Sequence, residues 1–323
     1  MTVADKTFSS LGAKILNAGT KIGFMYLKNT PITDVLKRHT LEQTKRLFDM
    51  PMSEKQQFAQ SAENTRGYYR FEGVGYGESV TLDENLEEQN TTSNKTDDYI
   101  EAFLMGNDQH TPWTLKKEYY KKRFGITSAR QYQSLAHCQP NQWPSTSTSN
   151  DTFRQDMNEY YNACTLTSRL IIETIALSLG LPRDHFVHLH NNNDHTMELK
   201  HYCPSQTKPT DVATPTSVRM KEHADLSTVT LLIQNEGTGG LQLWSNDANK
   251  WIDAPFVPDA ILVNTGNIME RLSNGVYLNT MHRVVLNPYQ TQHSRYSVVF
   301  FYVPDWDKDV GNGDLMGDLI PFS

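Results

Sequence analysis

The apolar positions of the first fifty residues recur at helical spacing. Leu11, Ile15 and Leu16 share one side of a helix expected from Ser10 to about Thr20, with Ser10 as its cap. Ile22 to Leu27 is a short apolar run and reads as a strand. Pro31 to Met50 reads as a second helix carrying Val35, Leu36, Leu47 and Phe48, and Pro51 ends it. Ser53, with Gln56 three residues on, has the form of a capping box that opens a third helix. Residues 64–98 break the pattern. Gly67, Gly73, Gly75 and Gly77 interleave there with Tyr68, Tyr69 and Tyr76, an irregular stretch of the kind that covers active sites. From Phe153 to Leu179, Met157, Tyr160, Tyr161, Cys164, Leu170, Ile171 and Ile175 fall near a 3.6-residue period. Gly180 stands where a left-handed cap belongs and Pro182 follows, so this is one long scaffold helix.

After residue 195 the period shortens. Short apolar runs cover 198–202, 227–234, 241–244, 260–263, 276–278, 283–286 and 296–303. Thr238-Gly239-Gly240, Asn274-Gly275 and Asn287-Pro288 separate several of them. Strands at this spacing predict a β-sandwich or barrel.

Composition narrows the function classes. A hydrophobic fraction of 37% with 10% aromatics excludes a wholly disordered chain, and three cysteines exclude a disulfide scaffold. A net charge of −7 argues against a nucleic-acid binder. No apolar stretch approaches the length of a membrane span, and residues 1–10 lack the marks of a signal peptide. The chain reads as soluble and cytoplasmic, with the sequons at Asn90, Asn94 and Asn150 unused.

Candidate chemistry lies among the 11 histidines. In His223-Ala224-Asp225 an imidazole and a carboxylate sit at i and i+2, on one side of an extended backbone. His282 heads a later strand and can point into the same barrel mouth. Two histidines and one carboxylate form a facial triad, which favours non-haem ferrous iron; a zinc centre uses the same ligands. Arg295-Tyr296-Ser297 repeats the i, i+2 logic with a guanidinium and a hydroxyl. A buried arginine there needs an anion, and a carboxylate fits its fork. A zinc hydrolase has no need of that anchor. His185, His188 and His190 crowd together but lack a carboxylate at fitting spacing, so they read as structural.

On these residues the chain resembles the isopenicillin N synthase-like family of Fe(II)/2-oxoglutarate dioxygenases. His223-x-Asp225, His282 and Arg295-x-Ser297 match the iron triad and the 2-oxoglutarate anchor of that family. Further landmarks follow in order: Gly23-Phe24, Phe48 to Gln56, Gly67-Tyr68, Asn141-Gln142-Trp143-Pro144, Leu179 to Pro182 and Asn264-Thr265-Gly266. The resemblance implies an α+β fold, a distorted double-stranded β-helix (jelly-roll) barrel in residues 195–305. An α-rich N-terminal region (1–130) and the long helix would back it, all within one catalytic unit of residues 1–323. It implies Fe(II), 2-oxoglutarate and O2, with Tyr202 helping Arg295 and Ser297 to hold the co-substrate. Lys200 falls where many plant members carry Asn. It also implies an oxidation (hydroxylation, methyl oxidation, desaturation or ring rearrangement) in fungal secondary-metabolite tailoring, with succinate and CO2 released. Tyr68, Tyr99, Phe103 and Phe301 are the expected walls of the substrate pocket, with 66–98 and the tail after Asp305 as covers. The expected partner is a small molecule, not nucleic acid or membrane, and the state a monomer or weak dimer. An oxidase of the same fold without 2-oxoglutarate, a zinc hydrolase and a metal-free binding module stay open at this point.

Overall fold

The computed structural model describes residues 3–61, 64–72, 99–108, 121–122, 139–145, 152–204, 218–237, 239–286, 292–305, 308 and 310. The sequons, Cys138, most of 66–98 and the tail after residue 310 lie outside them, as does the side chain of Tyr99.

Helix α1 (Val3–Lys21) begins before the expected cap, so Ser10 sits inside it. Strand β1 (Phe24–Leu27) follows. Helix α2 (Asp34–Phe48) starts where the Thr33 side chain accepts the N–H of Leu36, relieving one orphan donor of the first turn. The expected capping box does not form. Helix α3 (Met52–Lys55) starts behind Pro51 without a side-chain cap bond and passes at once into a 3-10 turn, Gln56–Phe58. Strands β2 (Gly67–Glu72) and β3 (Tyr99–Gly106) pair antiparallel. Helix α4 (Phe153–Ser178) is the long scaffold helix.

The remaining elements are β4 (Thr196–Tyr202), β5 (Val218–His223), β6 (Val229–Gln234), β7 (Leu241–Ser245), β8 (Lys250–Asp253), β9 (Ile261–Thr265), α5 (Asn267–Leu272), β10 (His282–Val285) and β11 (Arg295–Tyr302). The run 276–278 is not a strand. Asn274 and Gly275 turn the chain at positive φ, which drops the Tyr277 ring against α1 at Gly19. Its hydroxyl then meets Ser178 at 2.6 Å.

Two antiparallel sheets result, ordered β1-β9-β6-β11-β4-β3-β2 and β5-β10-β7-β8. The N-terminal half thus supplies three strands of the large sheet. Both faces of that sheet are apolar. One packs on the helices through Met197, Leu199, Val298 and Phe300 against Met157, Tyr160 and Ile172. The other closes on the small sheet through Phe24, Ile100, Tyr202 and Leu262 against Met220, Leu241, Leu243 and Val284. This is a jelly roll with its interior between the sheets. Among the described residues no helix is long and apolar enough to cross a membrane.

Candidate metal and anion site between the sheets

β5 ends where β10 begins, and His223 and His282 stand opposite each other in that register. Their ring centroids are 4.2 Å apart. Each ring turns Nδ1 back to a carbonyl two residues earlier, His223 to Lys221 at 2.8 Å and His282 to Thr280 at 3.1 Å. Those bonds place the proton on Nδ1 and leave Nε2 as the atom able to donate a lone pair to an ion. Both Nε2 atoms face Asp225 Oδ1, at 3.9 Å from His223 and 3.7 Å from His282. The other oxygen, Oδ2, accepts from Thr230 Oγ1 at 2.7 Å and Asn264 Nδ2 at 2.8 Å.

Burial, with His282 beside it, pulls the His223 imidazole down to about 4, so it is neutral at neutral pH. Burial works against the Asp225 carboxylate, but His282, Asn264 and Thr230 together hold it below its ordinary value. Two imidazoles and one carboxylate are a donor set for a divalent ion. Atoms bound to one ion at about 2.1 Å lie at most about 4.2 Å apart. Ligands on one face of an octahedral ion lie about 3.0 Å apart, so the separations of 3.7 and 3.9 Å fall within the outer limit and close by under about 1 Å when an ion is held.

The same interior holds Arg295, 1% exposed at the start of β11. Its Nη2 donates to Gln234 Oε1 at 2.8 Å and its Nη1 to Ser297 Oγ at 3.3 Å; the guanidinium lies 4.7 Å over the Tyr202 ring. Nε has no partner among the described residues, and no carboxylate there pairs with the group. Burial lowers its pKa from the ordinary value, with Tyr202 opposing the shift. A cation held in this way costs several kcal/mol unless an anion joins it. Arg295, Ser297 and Tyr202 therefore suit an incoming carboxylate.

Lys200, Tyr202, Met220, His223, Asp225, His282, Arg295, Ser297 and Phe301 line one cavity of about 40 Å³. Met220 Sδ stands 3.9 Å from the Tyr202 hydroxyl and 4.0 Å from Lys200 Nζ. Its unbranched chain lets that thioether adjust within the cavity. A larger cavity of about 410 Å³ opens between α2 and the segment 255–260, but it contains none of the three candidate ligands nor Arg295.

Of the expected pocket walls, Phe301 lines the cavity. Tyr68 and Phe103 do not. They pair across β2 and β3 and point to the helix side, packing edge-on to the Phe58 ring. Their neighbours Tyr69 and Ala102 face the interior instead. Sequence reasoning missed Thr230, Asn264, Gln234 and Met220 as members of the site. Asn264 was visible as a landmark, but its bond to Asp225 spans 39 residues and required the fold.

Residues 193–304 match the model of the 2OG-Fe(II) oxygenase superfamily. Residues 2–146 match that of the non-haem dioxygenase in morphine synthesis N-terminal region. The chain is 27% identical over 289 residues to a "2-oxoglutarate-Fe(II) type oxidoreductase" of Aspergillus fumigatus, covering 88% of this chain and 74% of that protein. It is 25% identical over 304 residues to the "2-oxoglutarate-dependent dioxygenase tropC" of Talaromyces stipitatus, covering 93% and 82%. Among solved structures, full-length Neurospora crassa T7H in complex with alpha-KG superposes with a TM-score of 0.73 at 24% identity, over 96% of this chain and 84% of that one.

Proposed function

The chain belongs to the 2OG-Fe(II) oxygenase superfamily, and on that premise we propose that His223, Asp225 and His282 bind its iron and that Arg295, Ser297 and Tyr202 bind its 2-oxoglutarate. It is an oxidoreductase using Fe(II), 2-oxoglutarate and O2. The observation that carries the residue assignment is one buried interior holding both a His/Asp/His donor set and an arginine without a carboxylate.

When bound, the ferrous ion supplies the redox chemistry by which a small organic substrate is oxidised with O2 as 2-oxoglutarate yields succinate and CO2. The protein supplies position. The Nδ1 bonds of His223 and His282 fix both rings before any ion arrives. Thr230 and Asn264 hold Asp225 so that Oδ1 faces inward. The Arg295 guanidinium, with Ser297 Oγ, meets the far carboxylate of the co-substrate and sets its register. Phe24, Leu241, Leu262 and Val284 wall the interior and exclude water.

The prime substrate in this reading is a small fungal metabolite, supported by similarity to the Aspergillus and Talaromyces oxidoreductases. The test is anaerobic addition of Fe(II) and then 2-oxoglutarate, watching for the weak visible absorption of a 2-oxo acid chelated to ferrous iron. The band should appear and be lost in His223→Ala. No band, with tight retention of zinc, overturns the assignment.

A further inference from the structure

A second cluster of ligating side chains lies on the opposite face of the large sheet, directly behind Tyr202. Glu101 on β3, His201 on β4 and Tyr296 on β11 are neighbours in register. Cys203 follows two residues after His201. One potential donor atom from each of Glu101, His201 and Cys203 lies within 4.8 Å of the others. His201 is held between the rings of Phe48 and Tyr296, with Tyr296 stacked at 4.6 Å.

We propose that Glu101, His201 and Cys203 form a second, exchangeable site for a zinc-like divalent ion. His201 Nε2 meets Ser294 Oγ at 2.8 Å, while Nδ1 faces Cys203 Sγ at 3.7 Å. With the Nε2 proton given to Ser294, Nδ1 is the donor, the outer-sphere arrangement common to metal-bound histidines. Zinc bound at about 2.3 Å to sulfur and about 2.05 Å to nitrogen at a tetrahedral angle sets these atoms about 3.6 Å apart. The observed 3.7 Å needs almost no adjustment. Binding exchanges a proton for the ion: Cys203 releases its S–H proton to solvent, the thiolate binds, and no electron moves. Thiolate with imidazole selects zinc-like ions over magnesium or calcium.

Lys55 makes the site exchangeable. Its Nζ is 2.7 Å from Glu101 Oε2 and 2.9 Å from the Phe48 carbonyl, buried with Glu101. The ammonium neutralises the carboxylate when no ion is present, and an ion must compete with it. Occupancy also acts on the interior. Tyr202 lies between two of the ligands, and the Cys203 carbonyl accepts Arg219 Nη2 at 2.9 Å. An ion bridging residues 201 and 203 stiffens the backbone that carries Tyr202 and restricts its adjustment to an incoming carboxylate. On the proposed function above, zinc then weakens 2-oxoglutarate binding.

Cobalt(II) titrated into the full chain tests this, because cobalt–thiolate absorption in the near ultraviolet cannot arise from two histidines and an aspartate. The band should appear, vanish in Cys203→Ser and persist in His223→Ala. Lys55→Gln, which keeps a hydrogen-bonding side chain but removes the competing charge, should saturate at about tenfold less cobalt or lower. Zinc should bleach the band and raise the 2-oxoglutarate concentration for half-saturation, an effect Cys203→Ser removes. Absence of the band, or its survival in Cys203→Ser, overturns the site. A band with no effect of zinc on 2-oxoglutarate overturns only the coupling. Failure of the iron assignment shows separately, in iron binding by His223→Ala.

Discussion

Arg295→Met separates what the guanidinium does for binding from what it does to stability. Arg295 is 1% exposed, and its hydrogen-bond and ring partners are neutral: Gln234, Ser297 and the Tyr202 ring. Replacing it with an apolar chain of similar length removes a buried cation that no carboxylate balances among the described residues. The thermal midpoint of the metal-free protein should hold or rise. Co-substrate binding should move the other way. The guanidinium fork offers two charge-assisted bonds to a carboxylate, each worth about 1.5–3 kcal/mol. Losing both removes about 3–6 kcal/mol, a loss of roughly two to four orders of magnitude in affinity. Calorimetric titration of 2-oxoglutarate into the ferrous protein without oxygen measures this, with iron content determined alongside. Ser297→Ala removes one weaker partner and should cost about tenfold. Affinity within tenfold of wild type in Arg295→Met would refute the anchor, and loss of iron in the same variant would refute the separation of the two sites.

Other outcomes follow from particular contacts. Thr230→Val removes the 2.7 Å bond to Asp225 Oδ2 and should lower iron affinity about 10–100-fold while leaving the fold intact, measured by competition with a chelator. Gly19→Ala places a Cβ 2.3 Å from Cδ1 of the buried Tyr277. Helix propensity alone favours alanine by about 1 kcal/mol, so a net loss of about 1–3 kcal/mol in urea unfolding marks the close approach. His190 is held at about 3 by burial, stacked 4.4 Å from the Tyr302 ring. The unfolded chain takes up this proton near its ordinary value of 6.5. The stability from neutral His190 is therefore whole above about pH 6.5 and is lost as pH falls toward 3, by roughly 2 kcal/mol at pH 5. In His190→Gln the gap between urea midpoints at pH 7 and pH 5 should shrink; an unchanged gap contradicts the burial argument.

The chemistry was more legible in the sequence than its surroundings. His223 with Asp225 and Arg295 with Ser297 are marked by residue type at i, i+2 spacing, His282 by its place at the head of a strand, and the structure gathers the five in one cavity. The long helix was equally plain, because one face of α4 is buried and its period is unbroken. Tyr68 and Phe103 fall on the helix side for a physical reason. β2 and β3 are apolar on both faces, one against the helices and one toward the interior, so alternation carries no sign. Tyr68 and Tyr69 are then indistinguishable until the register is known. The supports of Asp225 were hidden for a different reason: Thr230 and Asn264 come from β6 and β9, and ordinary polar residues carry no mark of the carboxylate they will meet.

The pairing of β5 with β10 is irregular, its register shifting immediately after His282. His223 and His282 sit at that weak seam, while Asp225 is fastened to the large sheet through Thr230 and Asn264. An ion shared by the three is therefore a staple between the sheets as well as a redox centre. By linkage, iron at a hundred times its dissociation constant adds about 2.7 kcal/mol to folding. Iron supply would then set the lifetime of the protein and not only its rate. A starved cell would hold a chain whose small sheet opens first, at the very strands that must close again when metal returns.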